Sequence, residues 1–406
     1  MTRVLVVDDS KFMRTVIGNA LEAADYDVET AANGSQAVES VDAFDPDVVT
    51  MDVEMPEMGG IDAVEQIMTS NPTAILMLSV HTERGTEATL DALERGAVDF
   101  LHKPDGSDSR NVAHLTDEVV AKVDELAEAD VSSIALARAA ATAHATRTRG
   151  TDSPARGTAT GNAVVGGGSD TRLLSDHGTN GPNATPGIGT GSEPDEETTP
   201  VAVDGERTTA PTIVIGASTG GPKIVERLFE QLPADLEATV LVVQHMPPGF
   251  TERFADRLDS HSAYDVSEAA DGDRLRPGEA AVAPGNAHLE VASNVGDALR
   301  LRLDRDGDRV HGVRPAIDVT MESAAERVSD GLCGVVLTGM GRDGAAGIEA
   351  IAAAGGHTIA QDEATSPVFG IPCQAIETGC VERVAPAGDI VGAIVDAFTT
   401  DGENDE

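Results

Sequence analysis

The sequence predicts two doubly wound, parallel-sheet α/β domains joined by a flexible linker, and three observations carry that expectation. Short apolar runs alternate with helix-period segments over residues 1–128, which argues for a parallel sheet covered on both faces. The same alternation returns at Pro211 and continues to about residue 400. Between them, residues 129–210 contain stretches such as TRTRGTDSPARGTATGNAVVGGGSD, rich in Gly, Thr, Ser, Pro and Asp. No aromatic residue occurs between Phe100 and Phe229, so this middle part cannot bury enough apolar area to offset chain entropy.

In the first part the strand-like runs are Val4–Val7, Val48–Met51, Ala74–Val80 and Val98–Leu101. The Ala-rich stretch Ser132–Arg147 is expected to extend the last helix of this domain. Residues 146–209 read as the flexible core of the linker, with an r.m.s. span on the order of 40–48 Å. In the last part the strand-like runs are Thr212–Ile215, Thr239–Val243, Ala280–Ala283 and Gly334–Leu337. Lys223–Gln231 reads as a helix, and Asp389–Phe398 as an amphipathic helix with Ile390, Val391, Ile394, Val395 and Phe398 on one face.

Composition narrows the function classes. The chain has 70 acidic and 28 basic residues, a net charge of −42, and lysine only at positions 11, 103, 122 and 223. Such a surface repels phosphate backbones and anionic lipid, which disfavours nucleic-acid binding and direct membrane insertion. Self-repulsion of this size works against compaction at low salt and is largely screened in molar salt, as in the cytoplasm of a salt-accumulating halophile. Cys333, Cys373 and Cys380 form neither a disulfide framework nor a metal motif. The start, MTRVLVVDDS, is too short and too quickly acidic for a signal peptide, and no apolar run approaches the ~20 residues of a membrane span. A soluble, cytoplasmic protein is expected.

Asp8 and Asp9 follow the first apolar run and Asp52 follows the second. Residues just past strand carboxyl ends meet in the crevice where such sheets bind ligands. Three carboxylates there repel one another unless a hard, oxygen-preferring cation such as Mg²⁺ sits among them. Ser79 and Lys103 end two further strands and supply a hydroxyl and an ammonium to the same edge. With VLVVDDS, MDVEMPEMGG around Asp52, Ser79 and FLHKP, residues 1–125 resemble the response-regulator receiver family, which has a flavodoxin-like fold. The resemblance implies Asp52 as phosphoacceptor and Asp8, Asp9, Asp52 and the Glu54 backbone carbonyl as the Mg²⁺ shell. It further implies Ser79 and Lys103 as phosphoryl ligands, Phe100 as the switch aromatic, and a cis peptide before Pro104.

In the second domain TIVIGASTGGPK reads as strand, tight turn and helix, with Ser218 at the turn. Unpaired N–H groups at a helix start suit an oxyanion. Nucleotide binding is disfavoured, because Lys223 follows Pro222 at the wrong offset for a phosphate loop and the next strand ends VVQH without an acidic residue. Gly216–Gly220 matches the GxSxG elbow, but that fold places its histidine last and here His245 comes first. A Ser218–His245–Asp343 constellation on another fold is the third reading, each residue following a strand. On the residues alone it stands beside a bland one, in which His245 is a core histidine and Asp343 a helix cap.

Residues 211–398 resemble the catalytic domain of the chemotaxis protein-glutamate methylesterase/glutamine deamidase family. The matching runs are IGASTGGP, VVQHMPPGF, VAPGNAHL, RPAIDVTMESAA, LTGMGRDGAAG and QDEATSPVFGIPCQAIETG. The sequence departs from the family pattern at FGIP, in place of FGMP, and in its longer, glycine-rich linker. The resemblance implies a Rossmann-like α/β esterase domain with Ser218 as nucleophile, His245 as base, Asp343 as orienting acid, and Thr219 and Met340 N–H groups as oxyanion donors. It also implies methyl-accepting chemoreceptors as substrate, a chemotaxis histidine kinase as phosphodonor, and no cofactor for the esterase step. A DNA-binding output would need a basic helix-turn-helix that residues 211–406 lack, and a non-catalytic binding module would be expected to lack a triad member.

Overall fold

The computed structural model describes residues 1–80, 83–103, 109–127, 201, 206–207, 210–296, 298–329 and 331–400. Nearly all of the expected linker, the helical extension over Ser132–Arg147 and the Lys103–Pro104 peptide lie outside the described residues.

The first domain is a five-stranded parallel sheet, β1 (Arg3–Val7), β2 (Asp27–Ala31), β3 (Val48–Asp52), β4 (Ala74–Val80) and β5 (Asp99–Lys103), in the order β2-β1-β3-β4-β5. Helices α1 (Lys11–Ala23), α2 (Gly34–Phe44), α3 (Gly60–Ser70), α4 (Glu83–Glu94) and α5 (Ser109–Ala127) connect and follow the strands. Successive strand residues face opposite sides of a sheet, so a strand covered on both faces must be apolar throughout. In β4, Ile75 and Met77 join Leu5, Val49 and Met51 in one core with α2, α3 and α4. Leu76 and Leu78 join Val4, Val6 and Val48 in the other, against Ile17 and Leu21 of α1 and Leu115, Val119 and Val123 of α5.

The second domain is built on a seven-stranded, all-parallel sheet. Its strands are β7 (Thr212–Ala217), β8 (Thr239–Gln244), β9 (Asp265–Glu268), β11 (Glu279–Val282), β14 (Leu332–Val336), β15 (His357–Gln361) and β16 (Arg383–Ala385). The order is β16-β15-β14-β7-β8-β11-β9. From β7 the chain steps to β8 and then to the edge strand β9 before β11 fills the place between them. It later runs outward on the other side through β14, β15 and β16, so the switch point lies between β7 and β14.

Ile213 and Ile215 of β7 pack with α6 (Gly221–Gln231), α7 (Phe250–Ser260) and α11 (Ile390–Phe398). Val214 packs on the other face with Ile317 and Met321 of α8 (Ile317–Arg327) and Ile348 and Ile351 of α9 (Ala345–Ala353). Each such side chain contributes about 1.5–3 kcal/mol when fully buried. Helix α10 (Ile371–Glu377) completes this layer.

One addition to the expected architecture is an antiparallel three-stranded sheet, β10 (Arg274–Leu275), β13 (Ala298–Asp304) and β12 (His288–Val295), ordered β10-β13-β12. Short β6 (Glu206–Arg207) also pairs antiparallel with β17 (Thr399–Thr400) at the carboxyl end. No described helix is long and apolar enough to cross a membrane.

Candidate active site and phosphoacceptor site

Ser218 is the first residue beyond β7, at the switch point of the larger sheet, where open α/β sheets place their ligands. Strands β7 and β8 pair with Ala217 opposite Gln244, and the His245 N–H donates to the Ala217 carbonyl at 3.0 Å. Ser218 and His245 therefore stand on adjacent strand ends, whose spacing in a sheet is about 4.8 Å. Strand β14, on the other side of β7, leads into the turn that carries Asp343. The three residues singled out in the sequence thus gather at one sheet edge. Ser218 and His245 are half-buried and Asp343 is 2% exposed.

His245 Nε2 lies 2.9 Å from Asp343 Oδ2. An ionised Asp343 accepts only, so Nε2 carries the proton and Nδ1 holds the lone pair that a base needs. Burial alone would raise the Asp343 carboxyl. The hydrogen bond and charge of His245, with the N–H groups of Asp318 and Ile317, outweigh burial and hold it below the ordinary carboxylate range.

The turns around the serine are braced by side chains that sequence reasoning passed over. Gln244 Nε2 donates to the carbonyls of Ser218 (2.8 Å) and His245 (3.3 Å), tying the two strand ends together. Thr338 Oγ1 donates to the Thr219 carbonyl at 2.9 Å, and the Ser218 N–H donates to the Thr338 carbonyl at 3.0 Å. A Cβ at Gly339, whose φ is +154°, would lie 2.6 Å from Ser218 Cβ, so only glycine lets this turn close on the serine. Among the described residues the N–H groups of Thr219 and Met340 have no acceptor in the protein. Gln244 was visible in VVQH as a non-acidic strand end, but nothing in the sequence signalled its bracing.

In the first domain Asp8, Asp9 and Asp52 gather at the strand ends, with one carboxylate oxygen of each within 4.8 Å of the others. Lys103 Nζ lies 2.7 Å from Asp8 Oδ2 and 2.8 Å from Asp52 Oδ1. Burial pushes the Asp52 carboxyl up to about 6; Lys103 works against this shift, and the charges of Asp8 and Asp9 add to it. One ammonium does not balance this negative pocket, and three carboxylates fit a hard divalent cation. The Glu54 carbonyl takes no hydrogen bond among the described residues. Ser79 is buried at the end of β4 and its hydroxyl donates to the Gly85 carbonyl at 3.1 Å. A Cβ at Gly60 would lie 2.0 Å from the Asp52 carbonyl oxygen, so the second glycine of MGG lets α3 approach the end of β3.

Phe100 stacks on Phe250 of the second domain, centroids 4.4 Å apart. It belongs to a contact that reaches the residue after Ser218. Thr219 Oγ1 donates to Asp99 Oδ2 (2.8 Å) and accepts from Lys122 Nζ (2.9 Å), while Lys122 also pairs with Asp99 (2.9 Å) and Glu125 (2.7 Å). Burial would lower the Lys122 ammonium, but the two carboxylates outweigh it and hold it above its ordinary range. The Gly220 N–H donates to the Val98 carbonyl at 3.0 Å, and Arg257 pairs with Asp91 at 2.9 Å. The contact buries Thr219 but leaves Ser218 half-buried, so the first domain flanks the crevice instead of sealing it.

Comparison with known proteins assigns both halves. Residues 4–113 match the response regulator receiver domain, and residues 213–394 match the CheB methylesterase family. A protein-glutamate methylesterase/protein-glutamine glutaminase of Halobacterium salinarum is 46% identical over 399 residues, covering 98% of this chain and 99% of that one. Proteins of the same name from Haloarcula marismortui and Pyrococcus horikoshii are 46% and 40% identical, each over at least 97% of this chain and 93% of its own length. The Thermotoga maritima CheB methylesterase catalytic domain is 41% identical, covers 46% of this chain and 98% of its own, and superposes with a TM-score of 0.44.

Proposed function

The chain belongs to the protein-glutamate methylesterase/protein-glutamine glutaminase family, and from that membership we propose that it hydrolyses glutamate γ-methyl esters on methyl-accepting chemoreceptors and deamidates receptor glutamines, under control of phosphorylation at Asp52. The observation that carries this reading is the meeting of Ser218, His245 and Asp343 at neighbouring strand ends, with His245 Nε2 on Asp343 and Nδ1 without a partner among the described residues.

His245 Nδ1 takes the proton of Ser218 Oγ as the oxygen attacks the γ-carbonyl carbon. The tetrahedral oxyanion is met by the N–H groups of Thr219 and Met340, each such donor worth about 2.7–4 kcal/mol. The protonated His245, held by Asp343, gives its proton to the departing methoxide, and methanol leaves. Water, deprotonated by His245, then attacks the acyl-enzyme; glutamate is released and Ser218 is reprotonated. Where the substrate is a glutamine, ammonia leaves in the first half. All these groups come from the chain itself.

Asp8, Asp9, Asp52 and the Glu54 carbonyl would hold Mg²⁺ in the receiver domain, where the ion neutralises charge on a phosphoryl group. Lys103 and Ser79 bind that group on Asp52, which accepts it from a chemotaxis histidine kinase. The phosphoryl group carries about −1.5 to −2 charges in place of the single charge of the carboxylate, beside β4 and β5. That change loosens the contact made by Phe100, Asp99 and Lys122, freeing the turn at Thr219. The action of the protein on receptors lies in the cytoplasm.

Methanol release from methyl-labelled receptor membranes in molar salt tests the reaction. Wild type releases methanol and a folded Ser218→Ala variant does not; equal release by both removes Ser218 from the chemistry.

A further inference from the structure

The run RPAIDVTMESAA supplies α8, and the mechanism above uses none of its side chains. Its first turn nevertheless holds a second buried carboxylate, Asp318, 3% exposed beside Asp343. One oxygen of each carboxylate and one nitrogen of His311 lie within 4.8 Å of one another. Two carboxylates this close in a buried site repel, and each persists only if N–H donors surround it.

Those donors are exchanged reciprocally. Asp343 accepts the N–H groups of Ile317 (2.7 Å) and Asp318 (3.0 Å), the first two residues of α8. Asp318 Oδ1 accepts those of Gly344 (2.8 Å) and Gly347 (2.7 Å), at the start of α9. Each helix start is thus capped by a carboxylate from the start of the other, where unpaired donors and the helix dipole favour an anion. The remaining Asp318 oxygen lies 2.9 Å from His311 Nε2. His311 sits at φ +53°, a left-handed conformation uncommon for non-glycine residues. A second His–Asp pair, His311–Asp318, therefore stands behind the first, joined to it through the backbone of residues 317, 318 and 344.

We propose that Asp318, held by His311, is a positioning residue of the triad: it fixes the α9 turn that carries Asp343 and adds a second buried negative charge to the field at His245. This rests on the reading of Asp343 as the orienting acid. The groups facing Asp318 are Asp343 from the turn before α9, His311 from the loop before α8, and Glu322 one helical turn along α8, with Glu326 beyond it. The Glu322 carboxyl is raised by burial first, then by the charges of Asp318, Glu326 and Asp343.

The test measures methanol release from methyl-labelled receptor membranes by the full chain, across pH and in molar salt. Asp318→Asn keeps the size of the side chain and removes its charge. Its kcat falls at least about 10-fold while KM stays within about 2-fold. The acid limb of kcat/KM moves to lower pH by about half a unit or more, because the His245 imidazolium loses a nearby anion. His311→Gln, which can still donate to Asp318, keeps most of the wild-type kcat, and His311→Ala does not.

Wild-type kcat in Asp318→Asn, or a loss of kcat with the acid limb unmoved, overturns the proposal. If Asp318→Asn does not fold, judged by its thermal melt, the two His311 variants decide, and equal activity in both overturns it. Ser218→Ala and Asp343→Asn run alongside: activity in either one sinks the triad itself, whereas inactivity in both with a wild-type Asp318→Asn sinks only the positioning role.

Discussion

Asp343 is almost wholly buried, and two backbone N–H groups and the His245 ring favour its ionised form. Its carboxyl is held below the ordinary value of about 3.9. The stability it contributes is therefore fully present above that value and is lost as pH falls through the lowered one. Replacing it by asparagine removes the acceptor that fixes the Nε2–H tautomer. An Asp343→Asn variant is expected to lose about 10⁴-fold in kcat. In denaturant titrations it is less stable than wild type at pH 7, and the gap narrows below about pH 3.9 as the wild-type carboxyl takes up its proton. A constant gap across that range would mean that the carboxylate is not ionised in the folded protein.

At the scale of elements, the site is a consequence of which strands are neighbours. Three strand ends matter because β14, β7 and β8 are adjacent and parallel, so Asp343, Ser218 and His245 arrive from one direction. The turn after β14 must then pass against the serine, which is why position 339 is glycine. Gly339→Ala puts a methyl 2.6 Å from Ser218 Cβ and 2.7 Å from Ile371 Cδ1. Displacing the nucleophile by about 1 Å costs on the order of 10²-fold in rate. Gly339→Ala should therefore fold, judged by near-wild-type circular dichroism, and show that loss in methanol release. Unchanged activity would mean the turn does not set the position of the serine.

The elements legible in the sequence were those buried on both faces, such as VVTMD, where every residue is buried. Edge strand β2, DVETA, is mostly exposed and has no apolar run to betray it. The β12–β13 hairpin is missing from the expected strands although Leu299, Leu301 and Leu303 alternate with Arg300 and Arg302 as a half-buried strand should. The residues that meet at the two sites were legible because strand ends are marked by the apolar runs before them. The bracing by Gln244, Thr338 and Asp318 was not, since it depends on which loops fold over which, and that is tertiary information.

Over the whole molecule, charge and domain contact act together. A net charge of −42 repels itself strongly, and only counter-ions at molar concentration shrink the Debye length to about 3 Å. The relatives from Halobacterium and Haloarcula fit that expectation. Transfer from molar salt to about 0.1 M is expected to unfold the protein, with loss of the far-ultraviolet circular dichroism signal; a retained signal at low salt would show that the acidity is not a salt adaptation.

The contact between the domains is built from a lysine held by two carboxylates, a threonine next to Ser218 and a stacked pair of phenylalanines. The contact flanks the crevice, so the control proposed for the receiver acts through its hold on Thr219 and Gly220.

The most direct test compares methanol release by wild type, Asp52→Asn and a chain lacking residues 1–145, each with and without a small phosphodonor and Mg²⁺ in molar salt. Wild type should accelerate with phosphodonor, Asp52→Asn should stay at the basal rate, and the truncated chain should exceed that rate without phosphodonor. A truncated chain no faster than unphosphorylated wild type, or acceleration of Asp52→Asn equal to that of wild type, would contradict control of the Ser218 site through Asp52 and the contact at Thr219.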